Sequence, residues 1–143
     1  AALLPVMIGI SGNIATQSSA IVTRGISLGR SGFVALGRVV LKETFVGVLL
    51  GVAYGAAVAV IAGLVFRNSP PVVEAGLVLF VGTIAAATLA AMMLASTVGG
   101  VVPIIFERLN LDPATATGPF VITIVDVLAV WIYMFIVAGL LPV

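Results

Sequence analysis

Long stretches without charge set the strongest limit on how this chain folds. No charged side chain lies between Glu43 and Arg67 or between Glu74 and Glu107, and Arg24 is the first charge from the N-terminus. Each stretch is long enough for a helix that crosses the hydrocarbon core of a bilayer, which takes about 20 mostly apolar residues. The chain is 62% hydrophobic and 8% charged, which is too little charge for a soluble surface. We therefore predict an all-α membrane protein.

The apolar stretches predict a single transmembrane pore domain, residues 1–143, built as a bundle of four helices. The predicted spans are residues 1–26, 45–66, 75–105 and 116–141. A polar approach, residues 30–43, precedes the second span. The third span is long enough to tilt or to contain a break, which Gly99, Gly100 and Pro103 would supply. The strict period-two alternation that is typical of membrane barrel strands does not occur in the sequence.

Basic residues are concentrated in two of the three predicted loops. Arg24 lies at the end of the first span, and Arg30, Arg38 and Lys42 lie between the first and second spans. Arg108 lies between the third and fourth spans, whereas the remaining loop has Arg67 followed by Pro70 and Pro71. The positive-inside rule predicts that the two basic loops face the cytoplasm and that the Pro-Pro loop lies outside. Because the sequence has no initiator Met and starts in an apolar run, we expect it to be part of a longer protein.

The residue types that are missing exclude several kinds of chemistry. The sequence contains no cysteine and no histidine, which excludes disulfides, thiolate metal sites and histidine bases. The remaining donors are carboxylates, amides, hydroxyls and backbone carbonyls, which suit hard cations or protons. No nucleophile–base set or cofactor motif is found, so we do not predict an enzyme. The net charge of +1 does not indicate nucleic-acid binding.

Asp126 is the strongest candidate for a functional residue. It lies in the apolar run 121–131, too far from either helix end for its short side chain to reach the interface. An Asp at the centre of a span costs about 2.5 to 3.5 kcal/mol. We therefore expect Asp126 to face a water-filled cavity or a partner, the alternative being a protonated Asp that is hydrogen-bonded to a neighbouring helix.

Helical periodicity places five further residues on the stripe of Asp126: Thr115, Pro119, Ile122, Thr123 and Ala129. The Gly118–Pro119 pair is predicted to open a backbone carbonyl toward the same lumen, because proline lacks an amide hydrogen.

Polar and small residues form a second stripe along the first span. They recur at helical spacing: Gly9, Gly12, Asn13, Thr16, Gln17, Ala20, Thr23 and Arg24. In a membrane such a stripe indicates either a pore lining or a polar contact between helices. Backbone carbonyls beside Gly9 and Gly12 are candidates for contacts with an ion, as in filters built from carbonyl rings.

Four acidic residues lie near the ends of the predicted spans. Asp112 is predicted to cap the fourth span, with Pro113 in the first helical position, and to attract cations at the cytoplasmic mouth. Glu43, Glu74 and Glu107 are interpreted as ordinary interfacial charges. Glu43 and Arg38 are alternatively candidates for contacts with a cytoplasmic domain.

Small and aromatic residues predict packing and membrane position. The second span carries a ladder of small residues: Gly47, Gly51, Gly55, Ala59 and Gly63. Such a ladder predicts close approach between helices. Trp131 and Tyr133 are predicted to belong to an aromatic belt at the outer interface.

Two motifs resemble the MgtE family of magnesium channels. Pro5, the segment Ile8-Gly9-Ile10-Ser11-Gly12-Asn13, Gln17 and the Arg24-Gly25 pair are similar to the family's second transmembrane helix. Pro103, the segment Leu111-Asp112-Pro113-Ala114, the triplet Gly118-Pro119-Phe120 and residues 123–127 resemble its fourth-to-fifth helix region. The resemblance implies that the chain is helices two to five of a five-helix domain.

The resemblance implies a homodimer whose central pore is lined by the second and fifth helices of both protomers. Asp126 matches the intramembrane Asp that faces its counterpart and holds a hydrated magnesium ion. Together with the two stripes, the resemblance gives this predicted pore lining: Gly9, Gly12, Asn13, Thr16, Gln17, Gly118, Ile122 and Thr123. Ser11 departs from the family pattern, which has a glycine there, and some members have a polar side chain in place of Gly118. The family's first helix and its cytoplasmic magnesium-sensing domains lie outside this sequence.

Magnesium transport across a bacterial inner membrane is the predicted function. Mg²⁺ dehydrates reluctantly and takes one or two carboxylates, and one Asp126 in each of two copies supplies such a pair. Mn²⁺, Co²⁺ and Ca²⁺ are further candidate ions. The alternatives are a proton- or sodium-coupled carrier that uses Asp126 as its exchange site and a scaffold subunit that transports nothing.

Overall fold

The chain forms a bundle of long helices that run in alternating directions. The computed structural model describes residues 2–29 and 32–141. The elements are α1 (Leu4–Ser27), α2 (Phe33–Phe66), a short α3 (Pro70–Ala75), α4 (Leu77–Arg108), a 3₁₀ turn (Pro113–Ala116) and α5 (Pro119–Leu140). These two ranges contain no β-strand. The predicted all-α fold is confirmed.

Three of the helices are long and apolar enough to cross a membrane. They cover Ala35–Phe66, Leu77–Arg108 and Pro119–Leu140. The fourth candidate, α1, has 24 residues but is less apolar, because Asn13, Gln17 and several hydroxyl residues interrupt it. The chain is a multi-pass membrane protein, and the span assigned to α1 stays a prediction.

Helix α2 begins earlier than predicted. Residues 33–43, which were expected to be a short polar approach to the second span, are part of the same helix. Arg, Lys and Glu are good helix formers, so the change from apolar to polar residues in this region does not end the helix. Arg30 of the predicted basic loop lies outside the described residues, and so does Ala1 of the first predicted span.

Of the two alternatives for the third span, a tilt or a break, the break is not found. Helix α4 continues through Gly99, Gly100 and Pro103. In a bilayer no water is available to bond backbone groups that a break would free, so an unbroken helix is favoured. The two glycines serve packing instead: a Cβ on Gly99 would lie 2.8 Å from the Cα of Ala15, and one on Gly100 would lie 3.3 Å from the Val40 side chain.

The fourth span also begins at a different residue than predicted. The Asp112 carboxylate accepts a hydrogen bond of 2.9 Å from the Ala114 amide, so it caps the 3₁₀ turn and not α5, and Pro113 is the first residue of that turn. Gly118 follows with φ of 73°, a backbone conformation that L side chains rarely adopt. Pro119 then occupies the first position of α5, as expected from its missing N–H. Thr115 is therefore not on α5.

A ladder of small residues brings α2 onto α4, as predicted. A Cβ on Gly51 would lie 2.8 Å from Cδ1 of Leu89, and one on Gly55 would lie 3.0 Å from the carbonyl oxygen of Ala85. Gly47 lies directly against Ser96. The packing role of the ladder is confirmed.

Helix α4 also contacts α1, which places it at the centre of the bundle. Besides the Gly99–Ala15 contact, the Thr88 hydroxyl donates a hydrogen bond of 3.2 Å to the sulfur of Met7. From the Thr88 contact to the Gly99 contact, the residue number increases on both helices, from Met7 to Ala15 on α1 and from Thr88 to Gly99 on α4. The two helices therefore run in parallel.

The aromatic-belt prediction is wrong for Tyr133. This side chain is 3% exposed, because four-residue steps place it on the buried face of α5 with Val121, Val125 and Ala129. Trp131, two residues earlier, is 73% exposed and remains a belt candidate.

Substitution of Gly47 tests the packing of α2 on α4. We expect Gly47→Ala to destabilise the protein by about 1–3 kcal/mol, because the added methyl group overpacks the contact with Ser96. Gly37→Ala is the matched control, since a Cβ there meets nothing within 4 Å, and it is expected to be neutral or stabilising by up to about 1 kcal/mol. Thermal unfolding of both variants in detergent measures the difference. Equal melting temperatures would contradict this account of the contact.

Candidate functional site

Asp126 lies where α5 contacts α1. Its side chain is half-buried, and a Cβ on Gly12 would lie 3.4 Å from its Oδ1 atom. Gly12 is itself buried, and its Cβ would lie equally close to Ile122, at 3.5 Å from Cγ2. The missing side chain of Gly12 therefore leaves the carboxylate of Asp126 next to the α1 backbone.

The Oδ1 atom of Asp126 is buried without a hydrogen-bond donor among the described residues. The alternative that Asp126 bonds to a neighbouring helix of the same chain is therefore not met in the part of the chain that the structure describes. A carboxylate oxygen in an apolar environment is costly when no donor or cation compensates it. The Oδ1 atom of Asp126 therefore makes no hydrogen bond that would stabilise the packing of the described bundle.

The stripe on α1 divides into an open face and a buried edge. Gly9, Asn13 and Gln17 are exposed, as are Ala20 and Arg24. Thr16 and Thr23 are half-buried, and Gly12 forms the buried edge against α5. The amides of Asn13 and Gln17 therefore make no polar helix contact with the described residues, although such a contact was one of the two interpretations of the stripe.

The stripe on α5 meets this face along the seam between the two helices. Thr123 is exposed and its hydroxyl donates to the carbonyl of Pro119 at 2.8 Å. Ile122 is half-buried beside Gly12, whereas Ala129 is buried in the core. Since Gly12 and Asp126 are in contact, the exposed residues of both helices lie on either side of the seam that holds the carboxylate.

The backbone carbonyls of Gly9, Gly12 and Gly118 are used within their own helices, whereas the opening of a carbonyl one turn before Pro119 stays a prediction. The carbonyl of Gly118 accepts a hydrogen bond of 3.1 Å from the amide of Ile122. Gly9 and Gly12 lie within the unbroken helix α1, and the Gly12 carbonyl also accepts a bond of 2.9 Å from Thr16. The helical ladders use these oxygens, so the side chains supply the polar groups along the seam.

The predicted site residues fall into one group at the seam and two that lie apart. The structure brings together Gly12, Ile122 and Asp126. Gly118 precedes Asp126 by eight residues, about 12 Å along a helix axis, and is half-buried. Asp112 is exposed at the end of the bundle, where the hydroxyl of Thr23 approaches the carbonyl of Pro113 at 3.4 Å. It lies beside the end of α1, as a mouth position requires, but away from Asp126.

Metal-ligating side chains are sparse. Within the described ranges no three Asp, Glu, His or Cys residues come together in a group that could hold a metal ion. A cage built from carboxylates, imidazoles or thiolates is therefore not found within one copy of this part of the chain. One carboxylate beside an open polar face suits an ion that keeps most of its water shell.

Comparison with known proteins identifies the family. The model of the family described as "MgtE: Divalent cation transporter" matches residues 4–136. The chain belongs to the MgtE family.

Three bacterial relatives named "Magnesium transporter MgtE" align with most of the chain. The protein of Enterococcus faecalis is 30% identical over 133 residues, which are 93% of this chain and 27% of that protein. The protein of Bacillus subtilis is 28% identical over 131 residues, 91% of this chain and 27% of that protein. The protein of Thermus thermophilus is 32% identical over 142 residues, 96% of this chain and 28% of that protein. The chain thus spans a little over a quarter of the length of these MgtE relatives.

The departure from the MgtE pattern at Ser11 has no effect on the open face. Ser11 is fully buried, and its hydroxyl donates to the carbonyl of Met7 at 2.6 Å and to that of Ile8 at 3.1 Å. The hydroxyl is therefore satisfied within α1, on the side that packs into the bundle. A serine in place of glycine changes the packing surface and not the stripe.

Glu43 makes a contact within the bundle that its interpretation as an interfacial charge does not include. Glu43 is half-buried, and its Oε2 atom accepts a hydrogen bond of 3.1 Å from the hydroxyl of Ser18, which is 2% exposed. This contact joins α2 to the helix that carries the open face. Sequence reasoning missed it because the partners lie 25 residues apart and only the packing angle of the two helices brings them together.

Variants of Glu43 test this contact. We expect Glu43→Ala to destabilise the protein by about 1–2 kcal/mol, because the buried hydroxyl of Ser18 loses its acceptor. Glu43→Gln keeps an acceptor oxygen and should cost less than half as much. Glu74→Ala is the control, since Glu74 is exposed, and it should leave the melting temperature unchanged in detergent. A loss that is the same for the Glu43 and Glu74 variants would show that the hydrogen bond does not stabilise the bundle.

Proposed function

We propose that this chain forms the ion pathway of a magnesium transporter in a bacterial inner membrane, and that Asp126 holds the ion during transport. Family membership and the names of the three bacterial relatives support the substrate. The single observation that carries the assignment to a residue is the buried Oδ1 of Asp126, which no described donor reaches and which lies against Gly12. An intramembrane carboxylate in this setting is functional by default.

The ion is held by two copies of the chain. One Asp126 per protomer is insufficient for Mg²⁺, whereas a two-fold axis beside the seam places two carboxylates opposite each other. The pair binds the ion through its water shell, because Mg²⁺ gives up water reluctantly and needs near-octahedral geometry. The open face of α1 and α5 supports this arrangement, since it leaves polar side chains uncovered beside the carboxylate.

The remaining polar groups of the seam contact the hydrated ion and not the bare one. Water molecules bound to the ion point their hydrogen atoms toward the lining. The amide oxygens of Asn13 and Gln17 accept hydrogen bonds from them. The carboxylate of Asp112 at the mouth raises the local concentration of cations. The membrane potential favours entry by about 4.6 kcal/mol per 100 mV for a divalent ion.

Asp126→Asn tests the proposal with little change in shape. Full-length protein is reconstituted in liposomes that contain a magnesium-sensitive dye, and the initial rate of Mg²⁺ entry is measured under an imposed potential. We expect the variant to lower this rate about tenfold or more, since removal of the charge weakens ion binding by about 1.4 kcal/mol or more. Glu74→Gln, which removes an exposed charge, should retain the native rate, and light scattering checks that both variants remain dimeric.

Two other outcomes decide between the hypotheses. Equal rates for native protein and Asp126→Asn would contradict the role of Asp126 and direct attention to Asn13 and Gln17. A lumenal pH indicator and sodium-free buffer distinguish the coupled carrier, which requires a counter-ion for each Mg²⁺ moved. Competition with Mn²⁺, Co²⁺ and Ca²⁺ measures the selectivity of the same site.

A further inference from the structure

A basic groove lies on the outside of α2, near the end where α1 and α2 are connected. Arg38, Lys42, Ala35 and Val39 line it, and it encloses about 310 Å³. Their spacing of three and four residues places them on one helical face. Arg38 and Lys42 are exposed, and neither forms an ion pair with a described residue. The groove therefore presents two positive charges within about one helical turn.

An exposed apolar stripe continues from this groove along the same face of α2. Steps of three and four residues from Lys42 lead to Val46 and Leu49 and, further along, to Val60 and Leu64. These four side chains are between 44% and 69% exposed. The two charges thus lie at one end of a broad exposed apolar face of α2, which also carries Phe45, Val52 and Ile61 and which the rest of the described bundle does not cover.

The length of α2 places the groove at the level of lipid headgroups. The helix has 34 residues and is therefore about 51 Å long, whereas the hydrocarbon core is about 30 Å thick. The other end of α2 is followed by the polar residues Arg67 and Asn68. A membrane-crossing segment of about 20 residues that ends at Phe66 begins near Gly47. Lys42 and Arg38 come before this segment, so they lie outside the hydrocarbon core, one to a few helical turns beyond its edge.

We propose that Arg38 and Lys42 bind the phosphate of an anionic phospholipid whose acyl chain lies along the part of the stripe nearest the groove, at Val46 and Leu49. Arginine and lysine near the membrane surface attract anionic headgroups, and the arginine fork matches the phosphate oxygens. The exposed apolar face beside the two charges favours a lipid over free phosphate, which has no group to place on that face, and the positive charges favour an anionic headgroup. This site is independent of ion transport and of Asp126.

Native mass spectrometry of the full-length protein tests the site with phosphatidylglycerol and phosphatidylcholine as probes. We expect native protein to bind phosphatidylglycerol more tightly. Arg38→Gln and Lys42→Gln should each raise its Kd about fivefold, as expected for the loss of one surface charge. Arg67→Gln is the matched control at the other end of α2 and should leave the Kd unchanged. The charge-conserving pair Arg38→Lys with Lys42→Arg should retain most of the preference.

Each remaining outcome overturns the proposal. Unchanged Kd values in both Gln variants would exclude Arg38 and Lys42 as the headgroup site, and an equal loss in Arg67→Gln would indicate only a general charge effect. Displacement of phosphatidylglycerol by glycerol phosphate at equal concentration would show a site for free phosphate in which the stripe plays no part. Native protein without any preference for phosphatidylglycerol would indicate that another part of the protein or a second copy covers the groove.

Discussion

The close approach of helices through residues without side chains is the contact on which this structure depends. Apolar side chains gain little by leaving lipid for another helix, so association in a bilayer relies on packing at short distance and on hydrogen bonds. Helix α4 makes both kinds of contact. Gly47, Gly51 and Gly55 bring α2 onto one side of it, and its own Gly99 admits the backbone of Ala15 from α1. Thr88, bonded to Met7, adds a polar contact on the same side.

This packing explains where the candidate site lies. The face of α1 that carries Met7, Ser11 and Ala15 is buried in the bundle, which leaves the opposite face, with Asn13 and Gln17, open. Helix α5 is oriented by a buried row of residues at four-residue spacing, from Val121 to Tyr133. With both helices fixed in this way, Asp126 lies at their seam, and Gly12 is the residue that leaves room for it. The site thus follows from contacts made elsewhere in the bundle.

Much of this arrangement was predictable from the sequence, because membrane helices need long uncharged stretches. The all-α fold, the small-residue ladder of α2 and the isolated position of Asp126 all follow from composition and helical period. The same reasoning failed where local residue preference and membrane context compete. Gly99, Gly100 and Pro103 predict a break in water, whereas α4 remains unbroken in the structure.

Features that depend on the angle between helices were not predictable. The bond between Glu43 and Ser18, the burial of Tyr133 and the division of the α1 stripe into open and buried parts each require a known rotation of a helix about its axis. Helical period places residues on a common face but does not say which neighbour that face meets. For the same reason, the two stripes did not predict the contact between Gly12 and Asp126, although both residues were predicted to line one pore.

The most direct test of this account is whether the open face of α1 lies in water. The chain contains no cysteine, so single cysteines at Asn13 and Gln17 give unambiguous labelling with a charged, membrane-impermeant thiol reagent. Because the reactive species is the thiolate, which forms in water and not in lipid, we predict labelling on the order of tenfold faster than at Leu49→Cys, an exposed position on the apolar stripe of α2. Millimolar Mg²⁺ should slow the reaction at Asn13 and Gln17 but not at Leu49. Labelling at Asn13 and Gln17 as slow as at Leu49 would place this face in lipid and contradict the proposed pathway.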